Sequence, residues 1–509
     1  MEITRDLQAL QALMGYGSND PTLIEKALAV TNGFVGINLE PVAKLMLPLY
    51  AGLRNRIATD RPKTGGATAQ WRMQLGYGGF DFGANFGTAF KAVGSDATGS
   101  AVTVAANYRT QAVKGDVEFE AIPIAQGFDD PLQIETSRVL SILLRLEELL
   151  ILGGNSAALT APVPVGAGSS ATAINTFAAG TWSVKVTALS LQGAIANATG
   201  NSNVGESAVG NVDVVVIAGD ADFIDVYWPA VPGAVGYKIY TESAVGTGDA
   251  RLVPVSSLRY RKITAGATDL TAFGDAITVP AGQTFVTVNH VQIATVPLVG
   301  QPAAPGADGS VNLLAFEGLI AWTQKNTIYG QSIGTHLQKD MDGAPLTTAG
   351  SGVSEFDTLL ANLWTAWHLS PSLIVASPKS VATLTDKLIA ANNAAMYRLE
   401  IAQERGSFVG GVYVGGYLNK FAASMLPQQQ SSIPVWAHPY MPDGSFLFLT
   451  ERIPYQYSRE ARGFALDVMT PYTYFELARS ERSFPFSTFL METLKCYHPL
   501  AQAALIGAR

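Results

Sequence analysis

"ANYRTQAVKGDVEFEAIPIAQGFDDPLQIETSRVLSILLRLEELLILGG", Ala106 to Gly154, is the stretch of this 509-residue chain that decides its fold. Its middle, "GDVEFEAIPI", reads as a strand, and its second half is the clearest helix in the sequence. Asp130 can cap that helix, Pro131 suits its first turn and Gly153 can end it. About 22 residues at ~1.5 Å rise give a rod of roughly 33 Å. Leu132, Val139, Ile142, Leu143, Leu146, Leu149 and Leu150 form a broad apolar stripe, which predicts packing against a sheet or another helix.

Upstream, residues 1–54 carry two helix signals. Asp20-Pro21 starts one that runs to about Thr31, and a second spans Pro41 to about Leu53, kinked or shortened by Pro48. From Arg54 to Glu118 the chain is rich in Gly and Thr, with short alternations such as "AQWRMQL". This predicts a long β-hairpin with little core of its own, one that needs a support, a neighbouring copy being the obvious one.

Downstream, residues 155–305 are dense in Val, Thr, Ala, Gly and Ser, almost free of helix signals, and bounded by linker-like "NSAALTAPVPVGAGSSA" and "LVGQPAAPGADGS". They form a candidate inserted β-domain. Beyond them "SEFDTLLANLWTAW" reads as a helix with Ser354 as its cap. "PSLIVASPKSVATLTDKLIAAN" reads as a buried strand, Leu373–Ala376, turning at Ser377-Pro378 into a helix. Later segments are strand-rich, with a turn at Pro442-Asp443-Gly444.

Composition narrows the function. Charged residues make up 15% and apolar residues 48%, against roughly 25% charged in an average soluble domain. A large chain so poor in charge is expected to cover much of its surface with copies of itself. The net charge of −8 argues against a nucleic-acid binder that works through a basic face. The single cysteine, and the lack of a charged-then-apolar leader over Met1–Met14, predict a protein kept in a reducing compartment. The most apolar run, Val139–Leu152, contains Arg145, Glu147 and Glu148 and is too short and too charged to span a bilayer.

No catalytic, cofactor-binding or metal-ligating residues are assigned. His290, His336, His368, His438 and His498 have no metal-ligand spacing. Cys496 sits two positions from His498, but a lone cysteine among strand residues reads as packing. "GDADFID", with Asp220, Asp222 and Asp225, lacks the length and glutamate of a calcium loop and reads as a turn. "GYGGFDFG" and "VGGVYVGGYLNK" fit neither phosphate-binding nor dinucleotide spacing.

The order of these elements resembles the major capsid proteins of tailed bacteriophages, with the Hong Kong 97 type fold. The resemblance rests on Ala106–Gly154, on "PSLIVASPKSVATLTDKL", on the hairpin with "PDGSFLFL" and on "METLKCYHPLAQAALIG". It implies an α+β fold with an N-terminal arm (1–54), an extended β-hairpin loop (55–118) and a peripheral domain holding the long spine helix (119–154). An axial domain (306–470) and peripheral closing strands (471–509) follow. It further implies pentamers and hexamers of this chain, assembled in the host cytoplasm into an icosahedral virion head. Such a head encloses double-stranded DNA without sequence-specific binding, with separate scaffolding, portal and cement proteins as partners. No enzyme activity, cofactor or membrane is implied. Since some family members cross-link, Lys63, Lys91 and Lys114, in or near the loop, are noted, though solvated lysines are the ordinary case.

The insert (155–305) resembles a fibronectin type III or immunoglobulin-like sandwich through "GTWSVKVTALS" (Gly180–Ser190), "IDVYWPAVPGAVGYKIY" (Ile224–Tyr240) and "ITAGATDLTAFGD". Trp228 would be a core aromatic, with Tyr237 and Ile239 on the next strand. The Gly-Thr-aromatic segment precedes the Trp strand where such domains place it after, which implies a permuted order. On the outer face such an insert would decorate the shell. Competing classes are an encapsulin-like compartment with protein cargo, a surface adhesin, which predicts a secretion signal and repeated modules, and an enzyme with a carbohydrate-binding insert, which needs a polar catalytic cluster.

Overall fold

The computed structural model describes residues 52–62, 66–76, 100–125, 130–169, 180–196, 204–210, 213–217, 223–242, 251–252, 259–264, 285–293, 307–312, 314–334, 336–341, 345–349, 352–391, 414–421, 432–453, 462–479 and 482–508. The helix expected over 20–31, most of that over 41–53, the hairpin tip, Lys63, Lys91, Asp220 and Asp222 lie outside them. Of the second helix only the last residues are described, within a short helix over Gly52–Arg56.

The long helix spans Pro131–Gly153. Asp130 caps it as the sequence predicts, its Oδ1 accepting the backbone N–H groups of Leu132 at 3.0 Å and Gln133 at 3.4 Å. The preceding strand runs Arg109–Glu118 and then stops. Residues Ala121–Ala125, expected to extend it, form a short helical turn instead. Four strands lie side by side in the order Thr59–Asp60, Phe464–Glu476, Ser483–Cys496, Arg109–Glu118.

The chain divides into two compact units, the smaller holding the described residues of Ala112–Leu143 and Tyr474–Thr488. Its core is small: Val117, Val139 and Phe486 are buried, with Val113, Ala121 and Leu132 against them. Gly115 admits the Phe486 ring so closely that a Cβ there would lie 2.4 Å from the ring.

In the larger unit a six-stranded mixed sheet runs Leu337–Asp340, Ala503–Ile506, Phe446–Leu449, Leu373–Ala376, Ser432–Ala437, Gly416–Leu418. Both faces are buried, and strand alternation sorts the residues. Ile374, Ala376, Phe446 and Phe448 face helices Ser354–Trp367 and Pro378–Ala391, meeting Phe356, Leu360, Val381 and Leu384. Leu373, Val375, Leu447 and Leu449 face the main core with Trp71, Leu150, Phe316 and Trp322. Ser377 caps the second helix, its Oγ accepting the Ser380 N–H at 3.1 Å. Ser354 does not cap the first. It is the first helical residue, and Val353 holds the cap position without a side-chain bond. Gly444, at φ +75°, makes the turn expected at 442–444.

The base of the hairpin pairs Thr68–Gln74 with Ala101–Asn107, from Thr68↔Asn107 to Gln74↔Ala101. It does not wait for a neighbour. Ala69, Trp71, Met73, Val104 and Ala106 point into the chain's own core. The Trp71 indole N–H donates to the Cys496 carbonyl at 2.8 Å, and the ring meets Trp322 edge-on at 6.4 Å between centroids.

Between residues 165 and 293 the described strands form two four-stranded antiparallel sheets. One runs Arg251–Leu252, Gly236–Glu242, Gly180–Leu189, Asp213–Ile217, the other Arg259–Thr264, Phe285–Ile293, Phe223–Pro229, Val165–Ser169. The Gly-Thr-aromatic strand lies directly beside the "GYKIY" strand, Val186 opposite Ile239. Trp228 from one sheet is fully buried against Tyr237 of the other, ring centroids 5.4 Å apart.

Candidate functional site

Two clusters of buried polar groups hold the long helix and the segments that leave and re-enter at the insert. The first sits on Glu147 and Glu148, adjacent carboxylates in an otherwise apolar turn. Glu148 is fully buried and accepts the backbone N–H groups of Leu53 at 2.8 Å and Arg54 at 2.9 Å, so it caps the Gly52–Arg56 helix. His438 Nε2 lies 3.1 Å from the same carboxylate. Glu147 pairs with Arg54 Nε at 3.2 Å and accepts the Tyr472 hydroxyl.

Glu492, on the Ser483–Cys496 strand, completes this hub. Gln111 donates to its Oε1 at 3.2 Å, while no donor among the described residues reaches Oε2. Burial first, then the negative charge of Glu147, pushes the Glu492 carboxyl well above the usual carboxylate range. Burial also raises Glu147, against the opposing pull of Tyr472 and Arg54.

The second cluster is the neck of the insert. Gly154 and Gly318 approach so closely that the Gly318 N–H donates to the Gly154 carbonyl at 2.9 Å. Asn155 is nearly buried; its Nδ2 donates to the Ser310 carbonyl at 2.9 Å. Glu317 accepts the N–H and hydroxyl of Ser156 at 3.3 and 2.9 Å and the N–H of Ala157 at 3.1 Å. Lys325 Nζ donates to Glu317 Oε2 at 3.0 Å and to Asn155 Oδ1. The insert also touches the segments outside it. The Gly205 N–H donates to the Gly309 carbonyl at 2.9 Å, the Gly309 N–H to the Glu206 carbonyl at 2.8 Å, and the Gly233 N–H to Gln324 Oε1 at 3.1 Å.

His336 bonds the Lys325 carbonyl at 2.8 Å, His368 closes its helix at φ +53°, and His438 joins the hub. Among the described residues, no three His, Cys, Asp or Glu side chains are grouped to hold a metal. Burial pushes the Cys496 thiol far up, which makes it an inert packing group. Lys114 is exposed on its strand. Among the described residues no helix is long and apolar enough to cross a membrane. Sequence reasoning treated Glu147 and Glu148 only as charges that bar a membrane span. Two adjacent carboxylates inside "LRLEELLILGG" were the available signal for a buried hub.

The described elements make an α+β architecture: a two-stranded ribbon, a strand, one long helix, a β-rich segment, a mixed sheet with two helices, and long closing strands. No protein-family model and no curated protein matches the chain. Solved structures similar to it include the capsid of a native GTA particle, at 9% identity, covering 97% of this chain and 100% of that one, TM-score 0.38. The cyanophage A-1(L) capsid matches at 10%, covering 96% and 99%, TM-score 0.38. The SrpI encapsulin of Synechococcus elongatus PCC 7942 matches at 10%, covering 93% and 96%, TM-score 0.32.

Proposed function

We infer that this chain is the major shell subunit of a tailed-phage head, assembling as pentamers and hexamers around double-stranded DNA. The observation that carries the reading is the unbroken order of ribbon, strand, 23-residue helix and long closing strands in a single chain. A charged fraction of 15% supports extensive burial between copies. Residues 155–305 act as a sandwich that decorates the outer face and adds contacts between capsomers. The domain boundaries at 54, 118, 154, 305 and 470 belong to this reading. So do separate scaffolding, portal and cement partners and assembly in the host cytoplasm.

Particle size tests it, by sedimentation and electron microscopy on the protein expressed alone and with its neighbouring genes. Icosahedral shells, or rings of five and six, are expected. A 53.7 kDa monomer in both preparations overturns the reading. The contents of purified shells separate a DNA-filled head from an encapsulin-like compartment, which would hold protein cargo.

A further inference from the structure

Gln111 and Glu492 meet on neighbouring strands of the four-stranded sheet, 381 residues apart in sequence, and both are buried, at 3% and 0% exposure. Gln111 Nε2 donates to Glu492 Oε1 at 3.2 Å. The other oxygen of each side chain, Gln111 Oε1 and Glu492 Oε2, is buried with no hydrogen-bond partner among the described residues. The bonded pair therefore lacks a donor, since neither an ionised carboxylate nor a carboxamide oxygen has a hydrogen to offer. One hydrogen on Glu492 Oε2, turned to Gln111 Oε1, satisfies both atoms at once and closes a cyclic acid–amide pair.

The charges around the pair favour that hydrogen. Glu147, on the long helix, sets a second carboxyl beside Glu492, and Arg54 is the cation that acts on both. Arg54 Nε is already bonded to Glu147 at 3.2 Å, and the Tyr472 hydroxyl donates to Glu147 as well. Glu148 is matched by two backbone N–H groups and His438. Lys495 lies on the opposite face of Glu492's strand and is paired with Asp467. Arg109, two positions from Gln111, acts on Tyr329. Two buried carboxyls thus share one guanidinium, and burial disfavours a second negative charge.

We propose that Glu492 is held as a carboxylic acid in a cyclic pair with Gln111, and that this one proton latches the strand Ser483–Cys496 to Gln111 and to the last turns of the long helix. The latch is shut while the proton is present. When pH rises through the folded titration of Glu492, Oε2 gives up its hydrogen and the second bond to Gln111 is lost. A second negative charge then stands beside Glu147, and the strand opens locally at 490–494 to let water reach the carboxylate. The neck does not respond, because Lys325 matches Glu317 one for one. The folded chain thus carries an alkaline release inside its sheet, with no added ligand.

Two measurements on the full-length chain test this. Infrared difference spectra are expected to show a buried carboxylic-acid C=O band that outlasts the ordinary carboxyl range near ~4.3 and is missing from Glu492→Gln. A wild-type spectrum without that band at about pH 6, or a band unchanged in Glu492→Gln, overturns the assignment of the proton. Hydrogen exchange reads the latch, with rates corrected for the intrinsic effect of pH. Protection of the amides at 490–494 is expected to fall about tenfold per pH unit once the proton is lost, with no change at 155–157. Level protection at 490–494 in the wild type between about pH 5 and 9 overturns the latch without any variant. Glu492→Gln, checked by circular dichroism for native secondary structure, can make both bonds to Gln111 without a proton. It is expected to keep its protection throughout, and a fall matching the wild type overturns the role given to Glu492.

Discussion

Glu148, in the last two turns of the chain's long helix, accepts the N–H groups of both Leu53 and Arg54, at 2.8 and 2.9 Å. One buried carboxylate thus starts a second helix 95 residues earlier in the sequence. Glu148→Ala would leave two backbone donors and His438 facing a void. The expected loss is about 3 kcal/mol, since each buried unsatisfied group costs ~1–3 kcal/mol. Glu148→Gln keeps one acceptor oxygen and should lose less. Denaturant unfolding measures both, and hydrogen exchange at 52–56 should quicken in the alanine variant.

Glu492 sets a pH dependence whose sign follows from its environment. Its folded carboxyl titrates above the unfolded value, so the native state keeps a proton that the unfolded chain gives up. Stability is then full below the ordinary carboxyl range near ~4.3 and falls as pH rises toward the folded value, by up to about 1.4 kcal/mol per pH unit for one proton. Glu492→Gln keeps the shape of the protonated form and cannot lose the proton. Its melting temperature should fall less than that of the wild type between about pH 5 and 8. Parallel melting curves would show that Glu492 is already ionised at the lower end.

Trp228 tests the insert. It is fully buried against Tyr237, and its indole N–H has no acceptor among the described residues. Trp228→Ala should cost about 3–5 kcal/mol through the cavity it leaves. Trp228→Phe loses less area and also removes the unpartnered donor, so it should cost markedly less. Chemical unfolding followed by near-ultraviolet circular dichroism resolves the two.

Local signals in the sequence were legible where one short segment held all the information. Asp130-Pro131 and Gly153 bound the long helix, Ser377-Pro378 starts another, and the alternation around Trp71 gives a ribbon strand. Two local readings failed. Ser354 has capping chemistry, but it already lies in the helix, and its neighbour Glu355 accepts the Thr347 N–H at 3.0 Å. "EAIPI" has strand composition, yet its residues turn after Glu118. The hub and the neck were illegible because their partners lie far apart: Glu148 with His438, Asn155 with Lys325, Gln111 with Glu492. No window of sequence spacing can report a contact that only the sheet order creates. For the same reason, the ribbon's support by Trp322 and Cys496 was assigned to a neighbouring copy.

The neck makes the last prediction through glycine. A Cβ on Gly154 would lie 2.3 Å from the Phe316 carbonyl oxygen and 2.7 Å from that of Leu150, both backbone atoms that cannot swing aside. Gly154→Ala must therefore separate the end of the long helix from the returning chain and weaken the 2.9 Å bond between Gly318 and Gly154. A cost of about 3 kcal/mol or more is expected, the upper range for overpacking. Gly330 provides the contrast. Its φ is +74°, but nothing lies within 4 Å of its would-be Cβ. Gly330→Ala should cost only the left-handed backbone penalty, about 1–2 kcal/mol. If the two variants unfold at the same denaturant concentration, the close packing of the neck is not what holds the insert's two ends together.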